Sequence, residues 1–360
     1  MPTSADRSRC LLAASILTIS ALFASFANAA SLTLYVSPQG SPNATGEKPD
    51  QALNSLDKAL RIAYAKAKDS GADPVRIEVA PGTYKGQRIA LKQPPAAAHF
   101  EIVAQPGATS RPIFDGDGKG GTWFILQAPT QNGARFTFSG LEVVNYVTAM
   151  SFNGKRGDWN SYIGGNTIQN MVFKDIGQIA KKGAKPSTAA VRFVNSRGNT
   201  VRDNRFINIR NGQNCELLHS LYLAHHSSGN QITGNTFENT CGSPIRMRDN
   251  SSDNVASRNV FRKVEARAVF DEWYCNNDRS KNCGKQALEC PSWGNLYEAN
   301  TIESSDQRAS KEPTMVHVPD ISAQCNAEAP AAAPAAMSGQ QAVSKKTAGG
   351  AGNRERMMRR

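Results

Sequence analysis

Long apolar runs are almost missing from these 360 residues. The one candidate, Leu11 to Phe26, is too short for a membrane anchor and is followed at once by a small-x-small site, Ala27-Asn28-Ala29. With Arg7 and Arg9 ahead of it, residues 1–29 read as a secretory signal. Cys10 precedes the apolar core instead of marking a cleavage site, which argues against a lipoprotein. No other stretch could span a bilayer, so no transmembrane segment is expected and the address is secreted or periplasmic. The seven cysteines include no CxxC pair and no Cys/His spacing of a zinc site, so no metal is expected from them. After the leader, Cys215, Cys241, Cys275, Cys283, Cys290 and Cys325 remain, an even number that points to disulfides in an exported chain. A leucine-rich consensus is missing as well, which excludes that class of repeat.

The far end lacks aromatic and branched residues. From about Ala327 the chain is Ala/Pro-rich, then Gly/Ser/Lys-rich, and it finishes on Arg354, Arg356, Arg359 and Arg360. Such a segment cannot bury enough area to fold, so 327–360 is expected to be a disordered basic tail. Residues 30–326 remain for one elongated domain, expected as a monomer. The formal net charge is +12. In an exported protein a basic balance points to an acidic polysaccharide as partner and away from nucleic acid, with plain solubility as the competing reading.

What is present is short and periodic. Residues 30–72 read as a strand (Leu32 to Val36), a polar loop, and an amphipathic helix with Leu53, Leu56, Ala59, Leu60 and Ala63 at helical spacing. Val75, Ile77 and Val79 then alternate ahead of a Pro-Gly turn. Further short strands between 100 and 152, separated by Gly, Pro or Asn, indicate an all-β architecture. A repeat specifies which. Asn166, Asn199, Asn230, Asn254 and Asn295, spaced by 33, 31, 24 and 41 residues, each open the same template. Two residues on stand Ile168, Val201, Ile232, Ala256 and Tyr297; five on, Met171, Asn204, Asn235, Asn259 and Asn300; seven on, Phe173, Phe206, Phe237, Phe261 and Ile302. Equivalent positions that recur in this way stack on one another, Asn bonding along a ladder and Phe filling a core. These asparagines are therefore structural.

The template, in wording such as Gly229-Asn-Gln-Ile-Thr-Gly-Asn-Thr-Phe-Glu-Asn239, resembles the repeats of the pectate-lyase-like parallel β-helix superfamily. The resemblance implies a single-stranded right-handed parallel β-helix with an N-terminal helix plugging the open end. Three segments exceed a bare coil and are expected to wall a groove: 181–188, 211–219 and 275–290. Cys215 and Cys241 fall at one corner, one coil apart, and are expected to pair; the other four cysteines allow three connectivities.

With Asn230 and Asn254 in register, Tyr222 stacks under Arg246, Ala224 under Arg248 and His225 under Asp249, while Leu221/Ile245 and Leu223/Met247 face a core. Extending the register puts Arg192 below Tyr222 and Arg267 above Arg246, with Asp271, Glu272, Trp273 and Tyr274 on the next coil. Stacked arginines about 4.8 Å apart repel unless anions or carboxylates sit among them. An acidic polysaccharide would fit, cleaved by β-elimination: Arg246 and Arg248 bind the sugar carboxylate, and Tyr222 and His225 carry protons. Arg192, His219, Asp249, Arg267, Asp271, Glu272, Trp273 and Tyr274 are expected to line the substrate. The resemblance instead implies Arg246 or Arg248 as base, at the cost of deprotonating a guanidinium. A glycoside hydrolase using Asp271 or Glu272 with Asp249, a noncatalytic glycan-binding solenoid, and a plain ion-pair ladder are the alternatives. Polygalacturonase and mannuronan-epimerase motifs are absent. Asp115-Gly-Asp117-Gly reads as a turn, not a calcium loop, so no cofactor is expected.

Overall fold

The computed structural model describes residues 31–128, 133–177, 186–275 and 289–303. The expected leader and tail, most of the last insertion, and Cys283 and Cys325 lie outside the described residues.

Three sheets run the length of the chain, of nine, eight and seven strands, and every neighbouring pair in them is parallel. The chain visits them in turn. Gln231–Thr233 belongs to the nine-stranded sheet, Thr236–Thr240 to the eight-stranded and Ile245–Arg248 to the seven-stranded, and Val255–Ser257 then returns to the first, one coil on. The molecule is a right-handed parallel β-helix.

The repeat determines the register. Ile168, Val201, Ile232, Ala256 and Tyr297 are partners in successive strands, and so are Phe173, Phe206, Phe237, Phe261 and Ile302. The four phenylalanines are fully buried, with ring centroids 4.9–5.0 Å apart. Side chains of the template asparagines donate up the stack, Asn166 to Asn199, Asn230, Asn254 and Asn295, at 2.7–3.0 Å. Each acceptor oxygen also takes the backbone N–H of the asparagine one coil below. Asn204, Asn235, Asn259 and Asn300 form a second ladder in the same way. Turn amides with no exposure to water are thus satisfied, which an apolar residue there could not do.

At the N-terminal end Leu56–Ser70 is an α-helix, started by Ser55, whose side chain accepts from the Lys58 amide, and stopped by Gly71 at φ 65°. Its buried side chains are Leu56, Ala59, Leu60 and Ala63. Leu53 is buried too, but it precedes the helix and bridges the first strand. Tyr64 of the helix packs against Phe100 with ring centroids 4.9 Å apart, so the helix covers core rings that an open coil would expose.

Cys215 and Cys241 are disulfide-bonded, as the corner register requires. Cys275 and Cys290 are disulfide-bonded as well.

Candidate functional site

The strand His219–Ala224 lies between Ala189–Val194 and Ile245–Arg248, and Phe270–Trp273 follows at the edge. One outward column reads Ser151, Arg192, Tyr222, Arg246, Asp271, and its neighbour Val194, Ala224, Arg248, Trp273. Tyr222 is therefore flanked by Arg192 and Arg246, as the repeat predicts.

The top of the column is different. Ile245 pairs with Phe270, so the residue beyond Arg246 is Asp271, not Arg267. Arg267 lies exposed in the bend before that strand. Arg246 and its partner Asp271 are 25 residues apart, whereas Arg267 follows Arg246 by only 21 and so falls short of the strand; the column gains an anion where a cation was expected. Strand alternation also separates Asp271 from Glu272: Asp271 faces out, and Glu272 partners the core residue Met247. Glu272 is buried and accepts from Asn295 at 2.7 Å and Tyr297 at 2.9 Å; burial raises its pKa despite those bonds. It is an interior carboxylate, not a groove residue. Tyr274, past the strand end, is buried.

The remaining cations have distinct surroundings. Arg246 pairs with Asp271 at 3.0 Å and lies 3.3 Å from His219 Nε2. Arg248 is held as a fork: Nε and Nη2 each reach Glu289 at 2.7 Å, and Nη1 donates to the Tyr222 hydroxyl at 3.0 Å. Burial lowers its pKa, but Glu289 and Tyr222 outweigh that and hold it above the ordinary arginine value. Its guanidinium also sits over the Trp273 ring, 4.4 Å from the centroid. Arg192 donates Nε to Ser151 at 3.1 Å and has no carboxylate partner among the described residues. Burial lowers its pKa, as for any cation drawn from water without a counter-charge.

The two histidines of this face, His219 and His225, have different partners. His219 is buried; its Nδ1 donates to the Ser243 carbonyl at 2.8 Å, which leaves Nε2 as the acceptor for Arg246. Burial, reinforced by Arg246, lowers its pKa to about 3, so it is neutral in the folded protein. Its ordinary value is 6.5, so below that pH the unfolded chain takes a proton that the folded chain refuses. Stability is therefore complete above that value and is lost as pH falls towards 3, by about 1.4 kcal/mol per pH unit from this group. Urea unfolding at pH 7.5 and 4.5 should show a wider gap for the wild type than for His219→Gln; equal gaps would refute the assignment. His225 and Asp249 both take left-handed φ, 52° each, at equivalent turns past the strand ends, a conformation His and Asp tolerate better than most residues. His225 Nδ1 meets Asp249 Oδ2 at 2.6 Å. Burial would raise the Asp249 pKa, but the bonds from His225 and the Cys290 amide bring it below the ordinary value.

Glu289, and an exposed arginine beside it that lies off the strand face, have no signature in the repeat. Glu289 belongs to the last insertion, outside the coil register, and folds back onto Arg248. Arg156, on the 154–162 loop, reaches the same carboxylate at 3.2 Å across 133 residues of sequence. Ser151 does follow from the register, one coil below Arg192.

His225, Asp249 and Glu289 place potential ligand atoms within 4.8 Å of one another. Both oxygens of Glu289 are already taken by Arg248, and Asp249 is taken by His225 and the Cys290 amide. The set fits an ion-pair network better than a cation site. Asp115 accepts from Asn145 and from the Asp117 amide, as a turn cap does, and Asp117 pairs with Lys119. No described helix is long and apolar enough to cross a membrane.

No protein-family model matches the chain, and no curated protein matches it. Solved structures do. Pectate lyase Pel9A aligns over 81% of this chain and 82% of its own at 14% identity and a TM-score of 0.41. A GH136 lacto-N-biosidase from Eubacterium ramulus aligns over 77% of this chain at 12% identity and a TM-score of 0.39. This chain spans only 58% of that enzyme's length. A rhamnogalacturonan lyase aligns over 76% of this chain and 62% of its own at 13% identity, with a TM-score of 0.35. These are likenesses of fold. The parallel β-helix architecture rests on the stacked parallel sheets themselves, and activity has to be read from the site.

Proposed function

We propose that this β-helix is an exported lyase that cleaves a uronic-acid polysaccharide by β-elimination. The observation that carries the reading is Arg192, a half-buried guanidinium with no carboxylate partner among the described residues, directly beneath Tyr222. A buried cation without a counter-charge is costly, and a substrate carboxylate would remove the cost.

In this scheme Arg192, with Arg246 above, neutralises the sugar carboxylate and so acidifies the neighbouring C–H. A base takes that proton, a carbon–carbon double bond forms as the bond to the glycosidic oxygen breaks, and the leaving oxygen takes a proton. Tyr222 accepts from Arg248, which leaves its own O–H for the substrate. His225, oriented by Asp249, is the second proton carrier. Arg248, held charged by Glu289, has no proton-carrying role here; it orients Tyr222. Trp273 supplies an aromatic face on the adjacent column. The scheme needs no cofactor, because guanidinium groups supply the positive charge.

The hydrolase alternative loses Glu272 to the interior, and Asp249 is already engaged with His225. Incubation with alginate, polygalacturonate and glycosaminoglycans separates the readings: unsaturated-uronate absorbance means lyase, new reducing ends alone mean hydrolase, and binding without either means a lectin-like solenoid. Arg192→Ala should lower kcat/KM on the responsive polymer by about tenfold or more, the worth of a charged hydrogen bond. Unchanged kcat/KM would remove Arg192 from the site.

A further inference from the structure

Both proposed proton carriers are held, through one intermediary each, by two consecutive residues. Glu289 grips Arg248 at 2.7 Å through Nε and Nη2, and the third nitrogen of that guanidinium donates to Tyr222 at 3.0 Å. The amide of Cys290 donates to Asp249 Oδ1 at 3.1 Å, and Asp249 Oδ2 meets His225 Nδ1 at 2.6 Å. Glu289 itself is only 3% exposed. The Cys275 amide donates to its Oε2 at 2.8 Å, and its own N–H donates to the Cys275 carbonyl at 3.0 Å. These two bonds to Cys275, itself disulfide-bonded, hold the Glu289 carboxylate and backbone in place.

An arginine side chain has many rotamers, and a phenol needs a donor of fixed direction to be held in one place. A planar guanidinium gripped on two nitrogens by a buried carboxylate supplies that direction from its third. We infer that Glu289 is a positioning residue for Tyr222: it touches neither the phenol nor the groove, and acts through Arg248. The inference rests on the reading of Tyr222 as a proton carrier. It adds that Glu289 and Cys290, at the end of the insertion, set the geometry of the strand face.

The test is Glu289→Gln, which keeps the volume and one acceptor but breaks the charged two-point grip. With the responsive polymer, kcat should fall about a hundredfold with KM unchanged, the size expected when a reacting group is slightly misplaced. Arg248→Lys should do the same, and the double variant should be no worse than the poorer single one, since both break one chain of contacts. Arg248→Lys carries the test by itself if Glu289→Gln does not fold. Arg156→Ala, which removes the other ion pair on Glu289, should leave kcat unchanged.

A second readout needs no turnover. In protein labelled with carbon-13 at the tyrosine Cζ, the Tyr222 signal is the one lost in Tyr222→Phe. It should move in Glu289→Gln and stay in place in Arg156→Ala. Wild-type kcat in Glu289→Gln, or an unmoved Tyr222 signal, overturns the inference while leaving the lyase reading intact. Full turnover by Tyr222→Phe sinks the lyase reading instead, and the carbon-13 signal then decides by itself whether Glu289 places the phenol.

Discussion

Tyr222→Phe is expected to abolish elimination while leaving the fold and polymer binding in place. The ring stays in its column between Arg192 and Arg246, and only the oxygen that accepts from Arg248 is lost. Removing a proton carrier lowers turnover on the order of a hundred- to ten-thousand-fold. Substrate affinity, supplied by guanidinium groups, should change little, so the loss falls on kcat. Measuring unsaturated-uronate formation and calorimetric binding on the same preparation tests both halves. A variant that binds and turns over like wild type would move the chemistry elsewhere; one that neither binds nor melts like wild type would show that the phenol is structural. His225→Gln is the natural companion, since it keeps a donor to Asp249 but cannot shuttle a proton at neutral pH.

The second large effect is on stability. Phe237→Ala should cost about 3–5 kcal/mol, the range for a fully buried aromatic ring removed from a core. Phe237 lies between Phe206 and Phe261, with centroids 5.0 Å away on each side and ring planes within 10° of parallel. The coils above and below are pinned by asparagine ladders at both ends of the template and cannot close over the gap. Chemical denaturation should show the midpoint falling steeply with the slope retained. A loss below about 1 kcal/mol would mean that the stack collapses to fill the hole, contrary to the rigidity argued for the ladders.

Much of the fold was legible because a solenoid repeats one local problem. Each coil needs an interior residue at the strand centre, a ring seven positions after the template Asn, and an amide that satisfies a buried turn. Those demands write Asn and Phe at the same offsets in the units opened by Asn166, Asn199, Asn230 and Asn254, and the register follows from them. The column of Arg192, Tyr222 and Arg246 was readable for the same reason, since outward positions inherit the register of inward ones. Cys215 and Cys241 were readable as neighbours at one corner.

Where register ended, reading ended. Asp271 took the place expected of Arg267 because the chain uses four more residues before entering the last strand of that sheet, which leaves Arg267 in the bend ahead of it. Glu272 and Asp271, adjacent in sequence, went to opposite faces, which strand alternation decides only once the register is known. Glu289 was invisible: it lies outside the coil register, so no repeat offset predicts its meeting with Arg248, 41 residues away. The sequence alone thus determined the coil, the ladders and the row of cations, which are local and repeated. Tertiary structure decided which cation has no carboxylate partner among the described residues, because charge pairing depends on side chains such as Glu289 that come from outside the repeat.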